Sequence, residues 1–230
     1  MASERPPERP PEQPSEQPSE RDDAAILGVL LAGGQARRMG GGDKCLIEVG
    51  GRTLLEHAIV RARPQVHALL LNGNGDSARF QCYRLPVAAD VIDGFAGPLA
   101  GILTAMTWAK AERPAYRYVA SFATDTPFFP RDMVARLRAA LAAAGAEIAC
   151  AASKGRAHPV FALWPVGLAP QLRAAMESEG VRKIDVWTAR FRTVTVAFDG
   201  KEDDPFFNVN TPADLADAEA RLALVRPEAP

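Results

Sequence analysis

The sequence contains no long apolar run and no large excess of charge of either sign. Its 230 residues carry 27 Lys and Arg against 28 Asp and Glu, a net charge of −1. Balanced charge argues against the basic surface typical of proteins that bind nucleic acid or anionic membranes. No stretch reaches the roughly 18 to 20 apolar residues of a membrane span, and the N-terminus lacks the apolar core of a secretory signal. We therefore expect a soluble, cytoplasmic protein that binds neither nucleic acid nor membrane.

Cysteine is also scarce. The three cysteines, Cys45, Cys82 and Cys150, stand far apart and form no Cys-x-x-Cys pair. An odd number at wide spacings predicts neither a disulfide framework nor a zinc site. We expect Cys45 to pack as a small hydrophobic residue, because nothing beside it in the sequence indicates a nucleophile.

Residues 1–23 differ in composition from the rest of the chain. They hold six of the 19 prolines and no aromatic or β-branched side chain. Such a segment cannot bury enough apolar surface to offset the entropy cost of ordering it. We expect a disordered Pro/Glu-rich tail over residues 1–23 with no catalytic role. The remaining length suits one domain with a single core, which we assign to residues 24–226.

Short apolar runs alternate with amphipathic segments from residue 24 onward, a pattern typical of strands and crossover helices in a mostly parallel sheet. Strands are predicted at 26–31, 66–71, 86–88, 118–123, 147–152, 159–164 and 194–198, and helices at 53–63, from 97 onward, 130–144 and 211–225. Residues 153–158 (SKGRAH) are predicted to form a turn. The fold class is therefore α/β: a single doubly wound, three-layer domain with a mixed, mostly parallel sheet. Its ligand crevice should lie outside the carboxyl ends of the strands.

A glycine-rich loop, residues 31–44 (LAGGQARRMGGGDK), follows the first predicted strand. It contains five glycines and the cations Arg37, Arg38 and Lys44. Glycine lets backbone N–H groups approach an anion closely, and the cations neutralise its charge. The loop has the outline of a phosphate cradle, although it matches neither the P-loop GxxxxGK[ST] nor GxGxxG. The alternative is a solvated Gly/Arg loop without a ligand.

The loop resembles LAGGxxxRMGxxK, the signature of GT-A-like nucleotidyltransferases. Its double arginine and its GDK are similar to those of molybdenum cofactor guanylyltransferases. Five further segments fit the same family in the same order: LNGN (71–74), DVIDGFAGPLAG (90–101), DTPFFP (125–130), HPV (158–160) and NVNTPADL (208–215). The six blocks together span nearly all of residues 26–224. The resemblance implies the fold of the nucleotide-diphospho-sugar transferases.

The same resemblance implies transfer of GMP from GTP to the terminal phosphate of molybdenum-molybdopterin, with release of pyrophosphate. Two anionic phosphates must meet in that reaction, so catalysis depends on charge neutralisation and in-line positioning. The implied cofactor is Mg²⁺, with Mn²⁺ as an alternative. Besides GTP and molybdenum-molybdopterin, the implied partners are molybdenum cofactor biosynthesis proteins and molybdoenzyme chaperones.

The family pattern assigns the phosphate end of the site to three residues. Lys44 and Arg38 would hold the triphosphate and stabilise the departing pyrophosphate. Asp125, at the end of an apolar strand, would bind Mg²⁺, which takes one or two carboxylates plus phosphate oxygens. The nucleotide would also contact Leu31, Ala32, Gly33 and Gly34. For Asp125 the alternative is a capping role. The hypothesis fails if Lys44 and Asp125 lie too far apart to share one triphosphate.

Asp90 and Asn72 resemble nucleotide-binding positions of the same family. A carboxylate accepts two parallel hydrogen bonds, and guanine offers an N1–H beside its N2 amino group. Cytosine presents an acceptor at N3, which a carboxylate repels. If Asp90 faces the base, guanine is therefore favoured over cytosine. Asn72 is equally explained as the turn residue of LNGNG.

The resemblance extends to the acceptor side, where the matching residues are Gly97, Gly101, Arg182, Lys183, Asn208 and Asn210. Each has an alternative. The two glycines either let a ligand approach a helix N-terminus or let the helix pack tightly. The basic pair either receives the molybdopterin phosphate or is solvated surface. The asparagines either give the metal a neutral oxygen or form the turn before a helix. His158 is expected to be structural.

Three other functions are weighed against this one. A transferase of CMP to the same acceptor is expected to carry LAAG and a serine in the loop, against which Gly33-Gly34 and Arg37-Arg38 argue. A non-catalytic nucleotide-binding adaptor would lack the lysine or the metal-binding aspartate, yet Lys44 and Asp125 are both present. A sugar-1-phosphate nucleotidyltransferase usually needs a longer chain for its sugar pocket.

Overall fold

The computed structural model describes residues 25–33, 41–94, 97–112, 115–199 and 203–224. The predicted tail, Gly34, Arg37 and Arg38 lie outside these ranges. The strands are β1 (Ala25–Leu31), β2 (Glu48–Val49), β3 (Arg52–Thr53), β4 (Ala68–Asn72), β5 (Val87–Ala88), β6 (Tyr116–Ala123), β7 (Ile148–Ser153), β8 (Arg156–Pro165) and β9 (Thr193–Ala197). The α-helices are α1 (Leu54–Ala62), α2 (Pro98–Glu112), α3 (Met133–Ala144), α4 (Ala169–Ser178), α5 (Ile184–Thr188) and α6 (Pro212–Leu224). Among these helices, none has the length and apolar character needed to cross a membrane.

Seven strands form one mixed sheet in the order β5-β4-β1-β6-β8-β7-β9. β1 pairs in parallel with β4 and β6, β4 with β5, and β7 with β9. β8 runs antiparallel to both of its neighbours, β6 and β7. The carboxyl ends of β1, β4 and β6 therefore share one edge of the sheet with the amino end of β8.

Helices cover both faces of the sheet, which confirms the predicted three-layer, doubly wound fold. Successive side chains of a strand point to opposite faces. On β1, Leu27 and Val29 accordingly pack in a core with α2, α4 and α5. Ile26 and Leu30 pack in a second core with α1 and α3. Each of these four side chains is nearly or fully buried.

Side-chain caps set the ends of several helices. Thr53 Oγ1 accepts a hydrogen bond from the Glu56 backbone N–H, and the Glu56 carboxylate accepts one from the Thr53 N–H, which closes a capping box at α1. Thr211 and Asp214 make the same reciprocal pair at α6. α3 ends at Gly145, whose φ of 56° is the left-handed conformation that glycine tolerates. The predicted helices at these three places are confirmed.

Two predicted boundaries are wrong for local reasons. The turn between β7 and β8 is not the six residues 153–158 but only Lys154 and Gly155, both with positive φ. Two such residues are sufficient for a tight hairpin, so the chain re-enters the sheet at once and His158 lies inside β8. α3 begins at Met133 rather than Pro130, since residues before it form turns.

Candidate active site

A cleft of 660 Å³ opens at the edge of the sheet where β1, β4 and β6 end. This is where the topology of a doubly wound sheet places ligands. Nine of the residues that the sequence predicts for the site line the cleft: Leu31, Ala32, Gly33, Lys44, Asn72, Asp90, Gly97, Asp125 and Asn208. The strand ends therefore bring together side chains from positions that are far apart in the sequence.

Lys44 and Asp125 are in direct contact. Lys44 begins a short 3-10 turn after the glycine loop, and Asp125 follows β6. The Lys44 Nζ lies 2.6 Å from Asp125 Oδ2 and 2.5 Å from Asn210 Oδ1. The two charged side chains are 12% and 25% exposed, so water still reaches them. The distance condition set by the sequence hypothesis is met, since the two groups are close enough to act on one triphosphate.

The segment before α6 packs alongside Asp125. The Val209 N–H donates to the Asp125 carbonyl at 2.9 Å, and Thr126 Oγ1 donates its single hydrogen to Asn208 Oδ1 and lies 3.3 Å from Asp125 Oδ1. These contacts collect a carboxylate and the amide oxygens of Asn208 and Asn210 in one place. Such hard oxygen donors fit Mg²⁺ or Mn²⁺.

Asp125 is not part of a cluster of three or more acidic, histidine or cysteine side chains in the described residues. A divalent ion held by Asp125 would thus take its remaining ligands from neutral oxygens, water and phosphate. That is the usual situation of Mg²⁺ in enzymes that act on phosphates.

Asp90 is held by two asparagines at another part of the cleft. Asn72 Nδ2 donates to Asp90 Oδ1 at 2.9 Å and to the Ala88 carbonyl at 3.2 Å. Asn74 Nδ2 donates to Asp90 Oδ2 at 2.8 Å, and Asn74 Oδ1 accepts from the Asp90 N–H, also at 2.8 Å. Asn72 therefore does more than form a turn: its side chain ties the end of β4 to Asp90.

Gly101 lies in α2 against this arrangement. A Cβ on Gly101 would lie 2.2 Å from Asn72 Oδ1 and 2.6 Å from a methyl carbon of Leu31. Only a glycine lets α2 approach β1 and β4 this closely while Asn72 keeps its position. The packing alternative weighed for this glycine is thus what the geometry shows, and Gly101 does not line the cleft.

The other residues matched to the acceptor side lie near the rim. Gly97 lines the cleft with a φ of 142°, and the Arg182 carbonyl lies 3.9 Å from where its Cβ would be. The Arg182 guanidinium donates to the carbonyls of Met176 and Val181. Lys183 is the N-cap residue of α5. Neither Arg182 nor Lys183 lines the cleft itself.

Sequence reasoning missed a link between the two ends of the cleft. Arg79 Nε lies 2.6 Å from Asp43 Oδ2, and Arg79 Nη2 donates to the Asn74 carbonyl at 2.6 Å. The guanidinium also lies over the Phe80 ring, 4.3 Å from its centroid. Arg79 therefore joins the loop that carries Asn74 to the residue before Lys44. Asn74 stands in the LNGN block and could have been found there, whereas no sequence pattern points to Arg79.

β8 lines the cleft with residues 156–161, among which Arg156 and His158 have ionisable side chains. His158 Nε2 lies 2.8 Å from Ser153 Oγ, which donates to Asp204 Oδ1 at 2.7 Å. The serine has one hydroxyl hydrogen and gives it to the carboxylate, so Nε2 of the imidazole must be the donor to the serine. Burial lowers the pKa of His158, while the Asp204 charge opposes that shift. The ring also stacks on Phe206 at 4.6 Å, so the imidazole is firmly anchored.

Cys45 follows the lysine but takes no part in the cleft. Its side chain is 1% exposed. Burial, assisted by the neighbouring charge of Asp43, raises the pKa of its thiol to about 12. The thiol stays protonated at neutral pH and is neither a nucleophile nor a metal ligand. Its predicted role as a small hydrophobic residue is confirmed.

Comparison with known proteins places the chain in a family. Residues 28–191 match the family described as MobA-like NTP transferase domain. A Bradyrhizobium sp. (strain ORS 278) protein named molybdenum cofactor guanylyltransferase is 53% identical over 87% of this chain and 94% of its own length. A second relative of that name, from Rhodopseudomonas palustris (strain HaA2), is 52% identical over 90% of this chain and 96% of its own.

A solved structure agrees in fold. Molybdopterin-guanine dinucleotide biosynthesis protein A from Archaeoglobus fulgidus superposes with a TM-score of 0.70 at 24% identity, covering 86% of this chain and all of the other. The fold is thus that of the nucleotide-diphospho-sugar transferases, as the resemblance implied. The chain is a nucleotidyltransferase that belongs to the MobA-like NTP transferase family and, within it, to the molybdenum cofactor guanylyltransferases.

Proposed function

We propose that the chain transfers GMP from GTP to the terminal phosphate of molybdenum-molybdopterin and so forms the molybdopterin guanine dinucleotide cofactor. An oxygen of the acceptor phosphate attacks the α-phosphorus of GTP. The bond from that phosphorus to the oxygen bridging it to the β-phosphate breaks, and pyrophosphate leaves with the bridging oxygen. The contact between Lys44 and Asp125 is the observation that carries the proposal, because it joins a cation and a metal-binding carboxylate in one cleft.

The residues that follow β1 and β6 would bind the triphosphate. Lys44 neutralises charge on the triphosphate and on the departing pyrophosphate. Leu31, Ala32 and Gly33 line the cleft beside it; the family pattern adds Gly34 and Arg38. Mg²⁺ or Mn²⁺ held by Asp125 would screen the repulsion between the two phosphates. The side-chain oxygens of Asp125, Asn208 and Asn210 are suitable ligands for either ion.

Asp90 would bind the guanine base. Each of its carboxylate oxygens accepts from one asparagine amide and keeps a second acceptor site for a ligand. Guanine can donate to them from N1–H and from its N2 amino group. Asn72 holds the carboxylate from the buried side, and Gly101 leaves room for Asn72.

The acceptor would enter along the rim at Gly97, close to the chain at Arg182 and Lys183. Asn208 and Asn210, beside Asp125, would orient its phosphate. We place the reaction in the cytoplasm, where molybdenum cofactor biosynthesis proteins would supply the acceptor and molybdoenzyme chaperones would take the product. None of these assignments involves nucleic acid or membrane.

The test incubates the purified protein with Mg²⁺, molybdenum-molybdopterin and each of the four nucleoside triphosphates in turn, and measures pyrophosphate. We expect release with GTP and little with the other three. Release with CTP in place of GTP would assign CMP transfer instead. Tight binding of GTP with no pyrophosphate from any of the four would indicate a nucleotide-binding adaptor.

Asp90→Asn should weaken GTP binding by about tenfold to a hundredfold and relax the choice of base. The asparagine places an amino group where one of guanine's donors needs an acceptor. GTP and CTP affinities measured by titration calorimetry check this. Asp93→Asn is the matched control, because Asp93 is an exposed carboxylate three residues away. Unchanged GTP affinity in Asp90→Asn would refute the assignment of Asp90 to the base.

A further inference from the structure

The side chain of Asn74, in the loop after β4, makes two hydrogen bonds to Asp90. Its Nδ2 donates to Asp90 Oδ2 and its Oδ1 accepts from the Asp90 N–H, both at 2.8 Å. These two bonds close a ring between the loop after β4 and the segment after β5. We propose that Asn74 is a positioning residue that fixes the Asp90 carboxylate and thereby sets the enzyme's discrimination for the guanine N2 amino group. The inference rests on the proposed function.

The carboxylate is held by one amide on each oxygen. Asn72 occupies one acceptor site of Oδ1, and Asn74 occupies one of Oδ2. A carboxylate offers about four acceptor sites, two on each oxygen. Each oxygen therefore keeps capacity for a ligand, and the pair can receive two parallel hydrogen bonds.

The two asparagines hold Asp90 differently. Asn72 is 5% exposed and is fixed by the Ala88 carbonyl and by the close approach of Gly101. Asn74 is exposed at the mouth of the cleft, where Arg79 holds its carbonyl. The terminal torsion of an aspartate is soft, with no sharp preference. With Asn72 alone, Oδ1 stays bound but Oδ2 can turn away from the base, so Asn74 fixes the second oxygen.

Loss of that restraint affects the hydrogen bond that Oδ2 would accept from the guanine N2 amino group more than the one that Oδ1 would accept from N1–H. Guanine donates from N1–H and from the N2 amino group, whereas hypoxanthine keeps N1–H and lacks the amino group. A hydrogen bond to a charged partner changes affinity by about tenfold to a hundredfold. Wild-type protein should therefore bind GTP more tightly than inosine triphosphate by about that factor, and loss of Asn74 should remove most of the difference.

The experiment compares GTP and inosine triphosphate binding to the full chain by titration calorimetry, without acceptor. The variants are Asn74→Ala and Asn74→Asp, measured well above the pH at which carboxyls titrate. Asn74→Asp keeps an oxygen to accept from the Asp90 N–H but puts a like charge where Oδ2 had a donor. Asp76→Ala is the control, because Asp76 caps the turn that follows in the same loop through the Ala78 N–H and makes no contact with Asp90.

In both Asn74 variants we expect GTP affinity to fall about tenfold or more and the preference for GTP over inosine triphosphate to approach unity. Asp76→Ala should keep the wild-type preference. Equal weakening of both nucleotides, with the preference unchanged, would show a purely structural loop role and overturn the inference while leaving the proposed function intact. Failure of the wild-type protein to bind GTP would overturn the proposed function itself.

Discussion

Replacing Asp125 with alanine should lower turnover by about two to three orders of magnitude, the usual effect of removing one preorganised electrostatic group from an active site. Asp125 is the carboxylate that lies against Lys44 at the end of β6. Without it, a divalent ion would have only neutral protein oxygens, and in the proposed mechanism the repulsion between the two phosphates would no longer be screened. The fold should persist, because the side chain is 25% exposed and belongs to the cleft and not to either core.

Two measurements separate metal binding from damage to the fold. Mn²⁺ binding, followed by electron paramagnetic resonance, should weaken in Asp125→Ala, and the melting temperature should stay close to that of the wild type. Asp132→Ala is the matched control: Asp132 is an exposed aspartate before α3 that pairs only loosely with Arg136. Full activity of Asp125→Ala in excess Mg²⁺ would remove that residue from the metal.

Lys44→Ala should lower turnover by a similar factor, about two to three orders of magnitude. In the proposed mechanism the lysine acts on charge that builds up as pyrophosphate leaves, so kcat should fall more than GTP affinity does. The Asp125 carboxylate loses its ion-pair partner, but water reaches it, so the cost in stability should be about 1 kcal/mol or less. Steady-state kinetics by pyrophosphate release, with a thermal unfolding curve, measure both effects.

Lys110→Ala provides the control for Lys44. It removes an exposed lysine near the end of α2 without touching the cleft, and it should leave kcat and KM unchanged. A rise in the KM for GTP with an unchanged kcat in Lys44→Ala would limit the lysine to ground-state binding. In that case the stabilisation of departing pyrophosphate would have to come from the remaining cations of the loop.

The layered fold could be predicted from the sequence because its signals are local. The apolar run of β1 and the helix caps at Thr53 and Thr211 involve residues within a few positions of one another. Lys44 and Asp125 could be proposed for one cleft since both follow strands whose carboxyl ends meet at the same edge of the sheet. Their direct contact, and that of Lys44 with Asn210, depends on packing that no local pattern encodes.

The contribution of β8 could not be predicted from the same rule. The rule concerns the carboxyl ends of parallel strands, and β8 runs the other way. Its amino end therefore reaches the cleft and brings Arg156 and His158 there. The two-residue turn at Lys154 and Gly155 lets β8 begin at Arg156, three residues earlier than predicted, so Arg156 and His158 belong to the strand and not to a six-residue turn.

Tertiary contacts of single side chains are the second feature that could not be predicted from the sequence. Arg79 bonds to the Asn74 carbonyl, five residues away, and to Asp43, 36 residues away, and its sequence surroundings are ordinary. From the sequence alone, Gly101 is compatible with ligand approach and with close packing. Packing is decided by the structure, because a Cβ on Gly101 would lie 2.2 Å from Asn72 Oδ1, and the missing Cβ leaves Asn72 the room to reach Asp90.

The burial of Cys45 determines how the enzyme responds to thiol-directed chemistry. A cysteine beside an active-site lysine would ordinarily invite alkylation or peroxide damage, because a nearby cation promotes the thiolate. Here the sulfur points into the core with a pKa of about 12, whereas Cys82 is exposed. Iodoacetamide should modify Cys82 first and leave catalysis intact, so oxidants that inactivate thiol enzymes should spare this one.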